Sequence, residues 1–399
     1  MNEVKKIEFL DLFAGCGGFS FGLEWSGFSS AASVEIDKWA AETYKANHLH
    51  STVICGDIGQ IDSKDIKRQF AGIPVIIGGP PCQGFSHSNT VNKDVKDPRN
   101  SLFIQFIRFV SVLKPEISII ENVPGLLDTK LSNGKNVIDV IAEMYAEIGY
   151  RINYRRLNAV NYGVPQIRDR LFIVATSVRN LTKWQWPEPT HDYSDQGQLS
   201  IFSPKNKAVT LWDGISDLPT DFANTNCLQQ YKNKPTNAFQ KLMRTVECLP
   251  ISNHEPMRHT QRILDRFKSI KLGMDEADVD AIHLPRKRGS PEMVSGKSYS
   301  QNSRRQYPNR PCNTVVASSH TNFIHPFEHR NFTIRELARV QSFPDSFVFK
   351  GKRAVLSRKL CERKGLFDDI YLDQRMQVGN AVPPLLAKAL GDAIIGYLK

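Results

Sequence analysis

The sequence lacks several patterns by which protein classes are most easily recognised. It has seven cysteines but no C-x-x-C pair, which argues against a zinc knuckle and a thioredoxin-like redox site. No apolar run approaches the ~18–20 residues that a membrane-spanning helix needs. The first residues, MNEVKKIEFLDLF, contain no apolar segment of the signal-peptide kind. We therefore expect a cytosolic protein with reduced thiols and no membrane association.

Positive charge is in excess and unevenly distributed. The 399 residues include 52 Lys and Arg against 41 Asp and Glu, a net charge of +11, whereas the 41% hydrophobic content is ordinary for a globular protein. The excess lies in two runs, 281–310 and 349–364, each with seven basic residues and one acidic residue. Such clustering predicts a polyanionic partner such as nucleic acid. For the second run, a merely solvated surface is an equally good interpretation.

Strand-like and helix-like segments alternate over roughly the first 180 residues. The predicted strands are KIEFLDLF, SSAASVEI, IPVIIGG, EISIIENV and RLFIVAT. Alternation of this kind predicts an α/β fold, with a parallel, doubly wound sheet covered by helices. After about Ser177, turn-forming residues and irregular periodicity indicate an inserted domain. The C-terminal segment RMQVGNAVPPLLAKALGDAIIGYLK predicts a short strand, a turn and an amphipathic helix that return to the first domain.

A glycine-rich turn, DLFAGCGGFSFG, connects the first predicted strand and helix. Glycines at this position bring backbone N–H groups and a helix N-terminus close to a ligand. Glu35, twenty residues after Gly15, ends the second strand, where a carboxylate can bind two ribose hydroxyls, and Asp57 could receive an adenine amino group. Ser20 replaces the third glycine of the dinucleotide pattern and no G-K-[ST] follows, so a nucleoside without phosphates fits better. A plain tight turn is nearly as good an interpretation.

A candidate nucleophile follows a buried strand. Cys82 stands in GPPCQGFS, in a loop stiffened by Pro80 and Pro81, and reactive groups of open α/β sheets lie at the carboxyl ends of strands. Glu121 ends the next strand, so we expect it at the same edge of the sheet as a proton donor. The plainer alternatives are an inert buried cysteine and a helix-capping carboxylate.

Further polar residues are predicted near this edge. Gln166, Arg168 and Arg170 alternate before the strand RLFIVAT, so we expect their side chains on one face, although a solvated charged edge is common. Asn380, in the turn QVGNAVPP, could close over a bound nucleoside. Three histidines have no partner cysteine pattern, so we interpret them as loop residues and expect no metal: His320, His325 and His329.

Taken in order, six motifs resemble those of the bacterial DNA (cytosine-5)-methyltransferases: DLFAGCGG, GPPCQGFS, ENV, QIRDR, RPCNTV and QVGNAVPP. The resemblance implies a Rossmann-like S-adenosylmethionine-dependent domain formed by 1–185 plus 371–399. It also implies a smaller inserted target-recognition domain at 186–325 and a connection with a basic insertion at 326–370. The implied reaction is methyl transfer from S-adenosylmethionine to carbon 5 of cytosine within a specific sequence of double-stranded DNA, with the base flipped out of the duplex.

The resemblance also assigns roles to residues. In the family, the thiolate matching Cys82 adds to carbon 6 of cytosine and the glutamate matching Glu121 protonates nitrogen 3, while arginines matching Arg168 and Arg170 hold the base and the active-site loop. The expected cofactor-binding residues are Phe13, Gly15, Gly17, Gly18, Glu35, Ile36, Asp57, Ile58, Pro81, Leu102 and Asn380. The expected DNA contacts are Ser86, Gln166, Arg286, Lys287, Arg288, Arg304, Arg305 and Arg310. Arg310 and Thr314 would also organise the recognition region.

Several functions remain open at this point. We expect a monomer that protects host DNA from a cognate restriction endonuclease, which acts on the same site without forming a stable complex with it. The tRNA-modifying branch of the same family is the alternative within this chemistry. A nicotinamide oxidoreductase would use the glycine turn but leave PPCQ, ENV and QIRDR unexplained. A non-catalytic DNA-binding protein would not explain Cys82 and Glu121.

Overall fold

The computed structural model describes residues 6–81, 101–131, 133–178, 184–193, 206–222, 230–231, 233–244, 250–284, 286–287, 290–294, 303–318, 323–355, 358–367 and 370–399. The chain forms two compact units. The first unit comprises Met1–Tyr162, Arg168–Asn206 and Ala381–Lys399, and the second comprises Gly163–Ile167 and Lys207–Asn380. The segment 326–370 therefore belongs to the second unit.

Seven strands of the described residues form the central sheet of the first unit. They are β1 (Glu8–Leu12), β2 (Ser29–Glu35), β3 (Thr52–Cys55), β4 (Val75–Gly78), β5 (Ile117–Asn122), β6 (Tyr150–Asn158) and β7 (Asp169–Ser177), in the order β3-β2-β1-β4-β5-β7-β6. β1 to β5 pair in parallel, whereas β7 runs antiparallel to both β5 and β6. The predicted α/β fold is confirmed, with a mostly parallel sheet.

The remaining strands are short. They are β8 (His191–Asp192), β9 (Asn206–Lys207), β10 (Arg286–Lys287) and β11 (Ser290–Val294). The helices are α1 (Gly18–Trp25), α2 (Lys38–Asn47), α3 (Ser63–Phe70), α4 (Ser101–Leu113), α5 (Val137–Glu147), α6 (Leu211–Ile215), α7 (Ala238–Met243), α8 (Gln261–Ser269), α9 (Ile334–Val340), α10 (Arg358–Arg363), α11 (Gln374–Asn380) and α12 (Pro384–Leu398). One core cluster joins the sheet to α3, α4 and α5.

The C-terminal helix packs against α1, as the sequence predicts for a tail that returns to the first domain. Gly22 allows this approach because a Cβ there would lie 2.3 Å from the Ala387 Cβ and the Pro384 carbonyl oxygen. Ser26 Oγ donates to the Lys388 carbonyl at 2.8 Å and ties the two helices together. A side chain larger than hydrogen at position 22 would push α12 away from α1.

The strand predicted just before this helix is wrong, since α11 occupies Gln374–Asn380. Asp373 starts the helix: its Oδ1 accepts from the Met376 backbone N–H at 2.9 Å, and its carbonyl accepts from the Gln377 N–H. This local cap favours a helix over the extended conformation that the short apolar run suggested. By length and composition alone, the helical stretch Gln374–Leu398 could cross a membrane, but 56% of its most apolar part is buried within the protein.

The second unit has many charged groups in its interior. Arg339 is fully buried and bonds Asp217 at 3.2 Å and Asp345 at 2.6 Å. Arg330 pairs through two nitrogens with both oxygens of buried Glu336, at 2.8 and 2.7 Å. Burial alone would raise the pKa of Glu336, but the paired Arg330 guanidinium outweighs it and lowers that pKa to about 2. These ion pairs are shielded from water, so removing one partner would leave the other charge buried and unpaired.

Candidate active site

The glycine-rich turn between β1 and α1 is held in a left-handed conformation by the end of β2. Phe13, Gly15 and Gly17 have φ values of 59°, 55° and 93°. Glu35 Oε2 accepts from the Gly15 N–H at 2.7 Å, while its Oε1 accepts from the Asp37 N–H at 2.8 Å. Burial raises the pKa of Glu35. The buried carboxylate therefore fixes the turn and the start of α2 at the carboxyl edge of the sheet.

The two sides of the turn differ. A Cβ on Gly17 would lie 2.3 Å from His48 Nε2 and 2.9 Å from Tyr44 Cδ2, so this position is packed against α2 and its end. A Cβ on Gly15 would meet no atom within 4 Å, so this position faces open space. Beside it, the Ile36 side chain is 68% exposed although it is apolar. A ligand with an apolar face could therefore lie over Gly15 and against Ile36.

A chain of buried hydrogen bonds supports the turn from the sheet side. Ser20 Oγ donates to Asp11 Oδ2 at 2.5 Å and shares a hydrogen bond with the Tyr44 hydroxyl at 2.7 Å. The Tyr44 hydroxyl continues to Ser30 Oγ at 2.8 Å, which bonds Ser51 Oγ at 2.8 Å. Burial raises the pKa of Asp11 to about 8. The sequence alone does not reveal this network, because Ser20 stands out there only as the replacement of a third glycine.

Tyr44→Phe tests how much this network contributes to stability. The change leaves the hydroxyls of Ser20 and Ser30 without their shared partner inside the protein, so we expect the free energy of unfolding to fall by about 1–3 kcal/mol. Denaturant unfolding of both proteins measures the difference. Tyr154→Phe, at a tyrosine that is 47% exposed, is the matched control and should change stability by less than about 0.5 kcal/mol. Equal effects of the two changes would contradict a supporting role for the network.

The carboxyl ends of β4 and β5 form the second part of the site. A Cβ on Gly78 would lie 2.1 Å from the Leu12 carbonyl oxygen, so only glycine allows β4 to approach the end of β1 here. A Cβ on Gly79 would lie 3.3 Å from Glu121 Oε2. Asn122 Nδ2 donates to the Pro80 carbonyl at 3.0 Å and so holds the loop after β4 to the end of β5. Asn122 is a positioning residue that the sequence argument missed, although it directly follows Glu121.

Glu121 is paired with a cation. Its Oε1 accepts from Arg170 Nε at 2.8 Å, and both side chains are largely buried. The pairing arises from the sheet, because Glu121 lies opposite Phe172 on β7 and Arg170 is near the start of the same strand. Oε2 lies towards Gly79, where the absence of a side chain avoids a close contact with this oxygen.

Arg168 and Gln166 have surroundings that differ from those of Arg170. Arg168 is fully buried and donates from Nη2 to the Ala381 carbonyl at 3.2 Å, and burial together with neighbouring Arg170 holds its pKa well below the usual range. Gln166 belongs to the second unit, where its amide bonds Gln341 Oε1 at 2.9 Å and the Val315 N–H at 2.9 Å. The expected alternation fails for Gln166 because β7 begins only at Asp169.

The remaining predicted cofactor residues are distributed as follows. Asp57 is on the surface, and its Oδ1 accepts from the Gly59 N–H at 2.8 Å. Ile58 is buried, and its carbonyl accepts from Arg108 Nη2 at 2.9 Å. Pro81 is exposed, Leu102 is half-buried on α4, buried Gly18 begins α1, and Asn380 ends α11 in the second unit. Cys82 and Ser86 lie outside the described residues.

The predicted DNA-contact residues divide by exposure. Arg310 is exposed, with its guanidinium 5.1 Å from the centre of the Tyr307 ring. Arg304 is partly exposed and bonds Asp275 at 3.0 Å. Arg286 is half-buried on β10, the Lys287 side chain is not among the described ones, and Arg288 lies outside the described residues.

Two of the expected DNA contacts do not fit their surroundings. Arg305 is only 5% exposed, and its guanidinium donates to the carbonyl oxygens of Ile270, His325, Pro326, Glu328 and Phe267 at 2.6–3.3 Å. Gln166 is fully buried with its amide bonded internally. Both side chains hold the second unit together, because buried backbone carbonyls and amides need partners. A run of basic residues in the sequence does not show which of its arginines are buried and which are exposed.

The two described histidines, His325 and His329, lie in a loop as predicted. His325 is buried, and burial lowers its pKa to about 4, so it is neutral and its Nδ1 accepts from the Glu328 N–H at 3.1 Å. His329 Nδ1 bonds Arg305, and His320 lies outside the described residues. In the part of the chain that the structure describes, no three His, Cys, Asp or Glu side chains form a group that could hold a metal ion.

The sheet, the glycine turn held by Glu35 and the Glu121–Arg170 pair together define an α/β methyltransferase. The family model for C-5 cytosine-specific DNA methylases matches residues 7–396, so the chain belongs to this family and is a DNA (cytosine-5)-methyltransferase.

Known relatives and solved structures agree with this assignment. The type II methyltransferase M.DdeI of Desulfomicrobium norvegicum is 43% identical, over 98% of this chain and 89% of its own length. M1.HphI of Haemophilus parahaemolyticus is 31% identical, over 98% and 87%. The crystal structure of a putative prophage-encoded DNA modification methyltransferase from E. coli superposes with a TM-score of 0.69 at 25% identity, over 98% of this chain and 99% of that one. The tRNA-acting alternative is not favoured by these relatives.

Proposed function

We propose that the turn of the first unit binds S-adenosylmethionine and that Glu121, Arg170 and Cys82 act on a flipped cytosine. The cofactor residues fit a nucleoside: a Cβ on Gly15 would meet no atom, Ile36 is exposed next to Glu35 in the chain, and the Glu35 carboxylate has oxygens at the turn that could accept from ribose hydroxyls. Phe13 would stack on the adenine, and Asp57 would accept a hydrogen bond from the adenine amino group. S-adenosylmethionine, when bound, supplies the methyl group.

The observation that carries the proposal is the Glu121–Arg170 pair beside Gly79. In the resting enzyme, Arg170 holds Glu121 Oε1, and Oε2 lies towards the space over Gly79 where a base could be placed. The Glu121 carboxyl would donate a proton to nitrogen 3 of the base, and Arg170 would stabilise the carboxylate that forms. Asn122 keeps the loop after β4 in register with this pair.

The bond changes follow from these groups. The Cys82 thiolate forms a bond to carbon 6, and the electron pair of the ring is accepted at nitrogen 3 as Glu121 delivers its proton. Carbon 5, now an enamine carbon, would take the methyl group that S-adenosylmethionine supplies, and the electron pair of the broken sulfur–carbon bond would stay on the cofactor sulfur. The carbon-5 proton then leaves to a base, the sulfur–carbon bond breaks to return the thiolate, and nitrogen 3 gives its proton back to Glu121. Flipping the base out of the duplex costs roughly a few kcal/mol of unstacking and unpairing free energy. Contacts between the flipped base and the protein must offset this cost.

Trapping the enzyme on a modified base tests this mechanism. Duplex DNA carrying 5-fluorocytosine should form a covalent complex that survives denaturation when S-adenosylmethionine is present, because the fluorine cannot leave as a proton does. Denaturing electrophoresis detects the complex. The sequences of the duplexes come from a host that expresses the protein: the sites methylated there are identified by sequencing, and duplexes of those sequences are synthesised with 5-fluorocytosine.

Cys82→Ser is the control in this experiment, because it removes the thiolate and should abolish the adduct. Cys55→Ser, at an exposed cysteine that ends β3, should leave the adduct intact. No adduct with the wild-type protein, or an adduct with Cys82→Ser, contradicts the mechanism.

We further propose that the enzyme is a monomer in the cytosol, where its DNA is, and that it protects host DNA from an endonuclease of the same specificity. The relatives with type II names support this role. Arg310, Arg304 and Arg286 are the proposed DNA contacts of the second unit, since they are at least partly exposed. Arg288 and Ser86 are proposed from the sequence alone.

A further inference from the structure

Residues 350–372, which we call the basic excursion, form a segment of the second unit whose two ends lie close together. Gln374 Nε2 donates to the carbonyl oxygens of Phe349 at 3.1 Å and Gly351 at 2.9 Å. Gln377 Nε2 donates to the carbonyl oxygens of Lys350 at 3.1 Å and Leu372 at 2.8 Å, so one side chain ties both ends of the excursion together. Side-chain amides of α11 therefore hold the two ends of the excursion close together.

The excursion is folded between its ends. Cys361 on α10 is fully buried, and its carbonyl accepts from the Leu366 N–H at 2.9 Å. Near the base, the Val355 N–H donates to Asp373 Oδ2 at 3.1 Å. The backbone is thus held by hydrogen bonds at the two ends of the excursion and around its buried cysteine. These contacts keep the exposed side chains on a folded segment.

The surface of the excursion is predominantly basic. Five basic side chains on it are exposed: Lys350, Lys352, Arg353, Arg363 and Lys364. Among its described residues before position 368, Glu362 is the one acid, and two aspartates follow at 368–369, outside the described residues. Beside the cations, the Phe367 side chain is 63% exposed. Solubility alone is served by interspersed charges of both signs, whereas a run of one sign presented on a fixed scaffold suits a polyanion.

We propose that the basic excursion is a sequence-independent clamp on the phosphate backbone of duplex DNA. The inference rests on the proposed function, because it adds a second contact to the same substrate. Arginine and lysine side chains on a fixed scaffold bind phosphates without reading bases, and they contribute affinity that falls with salt.

The triple variant Arg353→Gln, Arg363→Gln and Lys364→Gln tests the clamp. Each lost phosphate contact reduces the slope of log K against log salt by about 0.9, so the slope should become shallower by about 2–3, and affinity at low salt should fall at least ~10-fold. The loss should be equal for duplexes with and without a methylatable site. KM for DNA should rise while kcat at saturating DNA is unchanged.

The matched control is Lys64→Gln, Lys67→Gln and Arg68→Gln, three exposed cations on α3 that change the net charge equally. We expect this control to keep the salt slope of the wild type. An unchanged slope in the excursion variant, a loss confined to the methylatable duplex, or a loss for folded RNA but not for DNA would each overturn the clamp. Failure of the wild type to methylate DNA would instead contradict the proposed function, and thermal unfolding of the variants shows that they are folded.

Discussion

Glu121→Gln is expected to lower kcat by about 10²–10⁴-fold, the usual contribution of a positioned acid–base group. The glutamine amide has the size of the carboxyl group and can still accept from Arg170 through its oxygen, but it has no proton to give to nitrogen 3 of the base. Binding of S-adenosylmethionine and DNA should therefore change little. Single-turnover methyl transfer with both ligands saturating separates the chemical step from binding.

Glu116→Gln is the matched control, because Glu116 is exposed just before β5 whereas Glu121 is at its carboxyl end. We expect wild-type kcat for this variant. If Glu121→Gln retained wild-type kcat, or if its loss lay entirely in the affinity for DNA, Glu121 would be a structural partner of Arg170 rather than the proton donor.

Arg305→Met is expected to destabilise the second unit by about 3–5 kcal/mol. The change removes the donor from the carbonyl oxygens of five residues, of which Phe267 also accepts from the Ile270 N–H. Each of the other four should lose about 1 kcal/mol, the lower end of the cost of a buried acceptor without a partner, because the site is only partly closed to water. Methionine fills a similar volume, so the effect reports the lost hydrogen bonds more than a cavity. Denaturant unfolding that follows the tryptophan at position 212, in the second unit, measures the loss.

The neighbouring residue provides the comparison. Arg304→Met removes a partly exposed cation that bonds the buried carboxylate of Asp275, so we expect a loss of about 1–3 kcal/mol, smaller than the loss for Arg305→Met. DNA affinity should fall for Arg304→Met. It should not fall for Arg305→Met, provided that binding is measured well below the unfolding temperature of that variant, where it is folded. Equal loss of stability in the two variants would contradict the buried role of Arg305.

The sequence predicts the first unit better than the second. The strands β1, β2, β4, β5 and β7 and the helix α12 follow from apolar runs, glycine turns and spacing, because each of these is a local property. Glu35 and Glu121 follow from their positions at strand ends, where a parallel sheet places such side chains at one edge. The structure of the first unit brings Glu35 to the glycine turn as expected.

The remaining features depend on contacts between distant parts of the chain. Sequence periodicity does not reveal that Ser20, Tyr44 and Asp11 share one hydrogen-bond chain. Nor does charge counting reveal that Arg305 lies inside the second unit while Arg304 beside it is partly exposed. In both cases burial decides the role, and burial is set by the packing of segments that are far apart in sequence.

The assignment of Gly163–Ile167 to the second unit bears on how this enzyme could acquire a new specificity. These five residues precede β7, yet Ile167 N–H donates to the Cys312 carbonyl at 2.8 Å, and the Cys312 N–H donates to the Pro165 carbonyl at 2.9 Å. A chimera that exchanged only Lys207–Asn380 would therefore join a foreign second-unit segment to the native Gln166. A productive recombination event must carry this short upstream piece along, or keep the partners that it needs, so the inherited module is discontinuous in the gene.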